Sequence, residues 1–148
     1  MMVKKTLPNE LILGEVSRLI ERGETVTLKA KGTSMLPFIV GGRDSVVLER
    51  PDELKTGMIV LAYVVGERYV LHRIIAIEGD KLTLMGDGNL KGVEMCLRKD
   101  VKAVASRIIK PSGEVDCHGR RHLRQVAAWN MLKPIRRWIL AVYKRIFI

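Results

Sequence analysis

Ser34 lies in the stretch Gly32-Thr33-Ser34-Met35-Leu36-Pro37, between an alternating run over 25–31 and the Gly41-Gly42 turn. A serine hydroxyl is a poor nucleophile at neutral pH. It needs a base within hydrogen-bond reach, and the base works best when a third group fixes its tautomer. His72 is the histidine of the β-patterned region. Asp87 follows in Gly86-Asp87-Gly88-Asn89, a turn one strand beyond His72, where a carboxylate could reach the neighbouring strand. Ser34 itself stands at a strand-to-turn break. There a hydroxyl can project from a sheet, and the serine's own backbone N–H can face a developing oxyanion. The chemistry of such a set is acyl transfer: Ser34 as nucleophile, His72 as base, Asp87 as orienting acid. Each residue alone has a plainer reading. A histidine in a strand is more often structural, a Gly-Asp-Gly-Asn stretch is more often only a turn, and a serine before Met and Pro can simply shape a loop. The order serine, histidine, acid raises the combined reading above these.

The elements that must position these residues are mostly strands. Asn9 can cap a helix from Glu10, with Leu11, Ile12, Val16, Leu19 and Ile20 on one face and Gly23 as its stop. Val26, Leu28 and Ala30 alternate with polar neighbours, which predicts a half-buried strand leading to Ser34. Further strands are expected over 45–49, 58–65, 68–78, 81–85 and 101–109, separated by turns rich in Gly, Pro and Asp. By strict alternation His72 shares a face with Val70 and Ile74, while Leu71, Arg73 and Ile75 point the other way. Short strands at close spacing predict a mainly β fold: a coiled, antiparallel, barrel-like sheet with one short N-terminal helix and a C-terminal amphipathic basic helix. The expected organisation is an N-terminal helical segment over 1–24, a β domain over 25–117 and a helical tail over 118–148.

Charge singles out that tail. The 148-residue chain carries a net charge of +10, yet residues 118–148 contain eight Lys/Arg and no acid. A segment so biased is expected to meet something anionic. Within it Ala128, Met131, Leu132, Ile135, Trp138, Ile139, Val142 and Ile146 form one helical face, with Lys133, Arg137 and Lys144 opposite and Pro134 as a kink or restart. This is the composition of an interfacial membrane helix. A helix packed on its own domain, or in a dimer, is the competing reading, and nucleic acid is the least favoured partner. No run approaches the ~18 uncharged apolar residues of a spanning helix. The first ten residues lack the apolar core of a signal peptide. The expected location is therefore the cytoplasm, with peripheral binding to the inner face of the membrane. Cys96 and Cys117 have neither CxxC nor zinc-like spacing and are expected to be reduced thiols.

Gly32–Pro37 resembles the G-x-S-M-x-P nucleophile box of signal peptidases and LexA-like self-cleaving repressors. Arg43–Leu48 and Lys55–Val60 are similar to the strand openings that follow this box. His72-Arg73-Ile74-Ile75 with Gly79-Asp80 resembles the second box, and Gly86–Asn89 the third. The similarity spans residues 31–107, about half the chain. Because the base position holds His72 rather than lysine, the likeness is to the histidine-type signal peptidases of the endoplasmic reticulum and archaea. It implies Ser34 as nucleophile, His72 as general base and then acid, and Asp87 as the orienting carboxylate. In the histidine-type enzymes a second acid lies a few residues beyond the third box, which makes Glu94 the alternative. Signal peptidases usually have Ser-Gly before the nucleophile. Here Gly32-Thr33 stands there, so the oxyanion would rest either on a Thr33 hydroxyl or on backbone N–H groups alone, that of Ser34 among them.

The resemblance implies a serine endopeptidase that cleaves a leader or propeptide from a precursor protein, with no metal or organic cofactor. Two other functions compete with it. One is a LexA-like regulator that cuts itself, for which only about thirty residues precede the serine box. The other is a catalytically inactive binding module whose basic tail contacts membrane or nucleic acid.

Overall fold

The structure is a computed structural model that describes residues 2–3, 9–89 and 92–147. Among the described residues nine strands form one curled, mostly antiparallel half-barrel sheet, accompanied by three α-helices. In chain order they are β1 (Met2–Val3), α1 (Asn9–Glu21), β2 (Val26–Lys29), β3 (Ser45–Glu49), β4 (Ile59–Val64), β5 (Arg68–Glu78), β6 (Lys81–Met85) and β7 (Glu94–Leu97). After these come β8 (Val101–Lys110), β9 (Gly113–Asp116), α2 (Arg120–Met131) and α3 (Arg136–Phe147). The spatial order is β1-β2-β3-β8-β4-β5-β6-β7, with β9 folded back on β8. The mainly β class expected from alternation is the class observed.

β3, β5 and β6 occupy the spans expected of them. They are bounded by residues that can turn: Gly79 has a φ of 59° between β5 and β6, and Glu67 one of 58° before β5. β4 is buried along almost its whole length, as its continuous apolar run requires. β7 and β9 are additions to the expected set. Both are short hairpin returns, on β6 and β8 respectively.

Helix α1 lays Ile12, Leu13, Val16, Leu19 and Ile20 into the larger core, against Val26, Leu28, Leu48, Leu61 and Ile108. Leu11, expected on that face, is instead 61% exposed. At 100° per residue it lies at the margin of the stripe, and Leu13 takes its place. The capping role expected of the Asn9 side chain falls outside the described residues.

The basic tail is two helices rather than one. Lys133–Ile135 form a short 3-10 turn around Pro134, and α3 restarts beyond it. The pair docks on the body through Trp129 and Leu140, which join Leu36 and Val40 of the serine loop in a separate core cluster. Fully burying Leu36 and Leu140 contributes about 1.5–3 kcal/mol each. The apolar face expected from the sequence lies largely outside this contact: Met131, Ile135, Trp138, Val142 and Ile146 remain exposed. Arg137 and Lys144 are exposed too, and the Lys133 side chain lies outside the described residues. No helix among the described residues is long and apolar enough to cross a membrane.

Candidate functional site

Ser34 sits in the turn-rich segment between β2 and β3 and is half-buried. Three contacts fix this segment from behind. The Asp44 carboxylate accepts the Val40 N–H at 2.8 Å. Lys110 donates to the Phe38 carbonyl at 2.5 Å and to Asp44 at 2.8 Å. Burial pushes the Asp44 carboxyl up, but hydrogen bonds from Arg43, Lys110 and the Val40 N–H outweigh it and hold the group below its ordinary value. Gly41 is required for closure of the loop, since a Cβ there would lie 2.2 Å from the Gly32 carbonyl oxygen.

The Gly86–Asn89 turn packs backbone to backbone against the serine. The Gly88 N–H donates to the Ser34 carbonyl at 2.8 Å. A Cβ on Gly86 would lie 2.3 Å from the Ser34 oxygen, and one on Gly88 would lie 2.5 Å from the Thr33 oxygen. Both glycines are therefore needed for this approach. The Ser34 N–H is bonded to no backbone carbonyl among the described residues. The Thr33 side chain is exposed.

His72 comes from β5 and its side chain is 7% exposed. Its Nδ1 lies 2.5 Å from Glu94 Oε1, and Glu94 Oε2 accepts from Arg68 at 3.2 Å. An ionised carboxylate can only accept, so Nδ1 is the nitrogen that donates in this contact. Glu94 reaches His72 because β7 pairs with β6, placing Glu94 opposite Leu84, while Leu84 pairs with Ile74 of β5. Ser34, His72, Asn89 and Glu94 line one cavity of about 380 Å³, whose apolar wall includes Ile12, Leu13, Leu28 and Met35. Ser34 and His72 are not hydrogen-bonded to each other.

Asp87 does not meet His72. It forms a bidentate pair with Arg73, at 2.8 Å to Nε and 2.7 Å to Nη2, and both side chains are buried. The reason is the pleat. Arg73 and His72 point to opposite faces of β5, and Arg73 registers with Met85, two residues before Asp87. The carboxylate expected on the histidine thus lies on the arginine's face, and Glu94 is the acid beside the imidazole. The presence of Arg73 next to His72 was the available signal.

The same face holds residues that the sequence did not single out. Trp129 Nε1 donates to the Asp87 carbonyl at 2.7 Å, and Arg73 donates from Nη1 to the Gly57 carbonyl at 2.8 Å. His122 Nε2 lies 3.3 Å from Arg73 Nη2. Helix α2 therefore braces the turn that abuts Ser34. Burial pushes the Cys96 thiol up to about 11 and the Cys117 thiol up to about 12, so neither is a thiolate nucleophile at neutral pH. Among the described residues no three His, Cys, Asp or Glu side chains are grouped as metal ligands. Compared with known proteins, the chain matches no protein-family model and no curated protein.

Proposed function

We propose that the protein is a serine endopeptidase of the signal-peptidase type, cleaving a leader or propeptide by acyl-enzyme chemistry. The observation that carries the reading is the His72–Glu94 pair facing the same cavity as Ser34. Its motif order supports it as well. In this reading His72 Nε2 takes the Ser34 Oγ proton as Oγ bonds to the scissile carbonyl carbon. The Ser34 N–H receives the oxyanion. The imidazolium, held by Glu94, then gives its proton to the departing amine as the C–N bond breaks. Water, deprotonated by His72, releases the acyl group and restores the serine.

The cavity suits an extended peptide. β6 pairs with β5 from Arg73 to Glu78, so among the described residues Arg68–His72 is paired with β4 alone and its other edge has no strand partner. Glu10 covers the Tyr69 N–H of that edge, at 3.3 Å from each carboxylate oxygen. The remaining edge is available for strand addition by a substrate. The tail would hold this site at the inner face of an anionic membrane. The exposed stripe Met131, Ile135, Trp138, Val142 and Ile146, together with eight Lys/Arg over 118–148, supports that role.

A serine-reactive phosphonate probe should label the wild type and leave Ser34→Ala unlabelled, and His72→Ala should label far more slowly. A folded wild type that takes no label, or one whose labelling is unchanged in Ser34→Ala, would falsify the peptidase reading. Flotation with phosphatidylglycerol vesicles tests the tail separately. Equal flotation with neutral vesicles would remove its electrostatic basis.

A further inference from the structure

A second cavity, of about 270 Å³, opens on the opposite side of β5 from the His72 pocket, between the sheet and helices α2 and α3. Thr56, Gly57, Arg73, Asp87, Asn130 and Arg136 line it. Two of these are buried guanidinium groups: Arg73 is 2% and Arg136 4% exposed. They are satisfied very differently. Arg73 owns the Asp87 carboxylate at 2.7–2.8 Å. Among the described residues Arg136 forms no ion pair, while the nearby Asp87 carboxylate is paired with Arg73. Its acceptors are neutral and distant: the Asn130 side-chain oxygen at 3.1 Å, the Asn89 carbonyl at 3.4 Å and the Trp129 carbonyl at 3.5 Å. Its Nε is buried with no partner at all.

Asp87, on the same cavity wall, acts on Arg136 through its charge, but its carboxylate is held by Arg73. The undescribed positions contain no Asp or Glu, and 118–148 contains none. Helix α3 begins at Arg136 itself, with no acidic residue in its first turn. Stacking over the Trp129 ring, 5.0 Å from guanidinium carbon to centroid, compensates part of the charge. An arginine cannot escape burial by losing its proton. A desolvated cation of this kind calls for an anion. The helix N-terminus adds its own preference for one.

We propose that this cavity is a binding site for a phosphate-type oxyanion, held by Arg136 from the wall, with Asn130 and Thr56 at hand as polar partners. The planar fork of a guanidinium matches phosphate oxygens, and the cavity exceeds the room a tetrahedral oxyanion requires. The phosphate can come free in solution or as a phospholipid headgroup. Met131, Ile135 and Trp138, all exposed, flank the opening's helices in sequence and would meet acyl chains if the source is lipid. The site stands apart from Ser34 chemistry and does not depend on the peptidase reading.

Asn130→Asp tests it without endangering the fold, because Asn130 is exposed and its Oδ1 already faces Arg136 Nη2. The variant supplies the missing counter-ion from within. Arg124→Gln, on the exposed side of α2, is a control that removes the same unit of charge. Thermal unfolding is followed against sodium phosphate, with sodium chloride at matched ionic strength. In parallel, flotation uses phosphatidylglycerol and phosphatidylcholine vesicles. Saturable stabilisation of the wild type and Arg124→Gln by phosphate identifies free phosphate as a ligand. Flotation weakened in Asn130→Asp but kept in Arg124→Gln identifies the headgroup. Either response should fall by about tenfold or more in Asn130→Asp, and that variant should melt higher than wild type in chloride alone. The proposal is overturned if wild type responds to neither source, or if Asn130→Asp keeps the wild-type response to both.

Discussion

His122 offers the sharpest test of how the tail supports the site. Its ring is 2% exposed, packs edge-on to Phe38 at 5.4 Å between centroids, and faces Arg73 through Nε2. Burial pulls its pKa down to about 4 from an ordinary 6.5. Arg73, Lys110 and His118 push the same way, and Asp116 opposes them. The imidazole is therefore neutral in the folded protein, with its Nε2 lone pair turned to the guanidinium. The sign follows from which state protonates first. The unfolded chain takes up the proton near pH 6.5, the folded chain near pH 4. The contribution to stability is present above pH 6.5 and is lost as pH falls through the window between the two values. The loss approaches 1.4 kcal/mol per pH unit, which gives about 2 kcal/mol between pH 7 and pH 5 and about 3 kcal/mol in all. Asp44 loses its own contribution only below its ordinary 3.8, outside this window. Urea unfolding at closely spaced pH values measures the slope. In His122→Gln, which retains an acceptor but does not titrate, the slope between pH 6.5 and 5 should flatten. A wild type with no slope there, or a variant with the same slope, refutes the burial argument.

Glu94 and Asp87 should separate cleanly by substitution. Glu94→Gln removes the charge that holds the imidazolium and should lower kcat/KM for peptide cleavage by roughly 10³-fold at little cost in stability; a variant with more than a tenth of wild-type activity contradicts the assigned orientation. Asp87→Asn strands the buried Arg73 guanidinium and should cost about 3–5 kcal/mol in urea unfolding; a loss below about 1 kcal/mol would show that the pair is not desolvated. Gly88→Ala forces a Cβ against the Thr33 oxygen, 2.5 Å away as built. The retreat should cost about 1–3 kcal/mol and, by shifting the serine, lower kcat by about 10²-fold. Thermal melts and single-turnover labelling read the two effects, and wild-type behaviour in both would show that the turn does not set the loop.

Much of the sheet was legible because its signals are local. The alternation in β2, the apolar run of β4 and the glycine turns around β5 and β6 carry their own boundaries. Leu11 and Leu13 show the limit of periodicity, which defines a stripe but not its edges. The acid beside His72 was harder. The turn carrying Asp87 was identifiable, but its partner depended on which face of β5 the turn closes over. The register Arg73 to Met85 decides that, with a shift in pairing further along the same two strands. Glu94 depends on β7, a four-residue strand whose place comes from a hairpin rather than from its own pattern. The tail repeats the lesson. Its period gave an apolar face, yet docking uses Trp129 and Leu140, chosen by the surface that the serine loop presents.

The position of β8 has a consequence for how the molecule is made. In the sheet order this strand alone joins β1-β2-β3 to β4-β5-β6-β7. Ser34 belongs to the first group, His72 and Glu94 to the second. A growing chain that has emitted everything up to residue 100 thus holds two unfinished half-sheets, each with an unpaired edge awaiting the same ten residues. The strands on either side of Ser34 and those that carry His72 and Glu94 become one sheet when β8 is threaded between them, and α2 must still follow to brace the turn. Such long-range closure is slow compared with local hairpins. On the peptidase reading proposed above, the sequence order of the scaffold would leave Ser34 and His72 in separate half-sheets until β8 arrives.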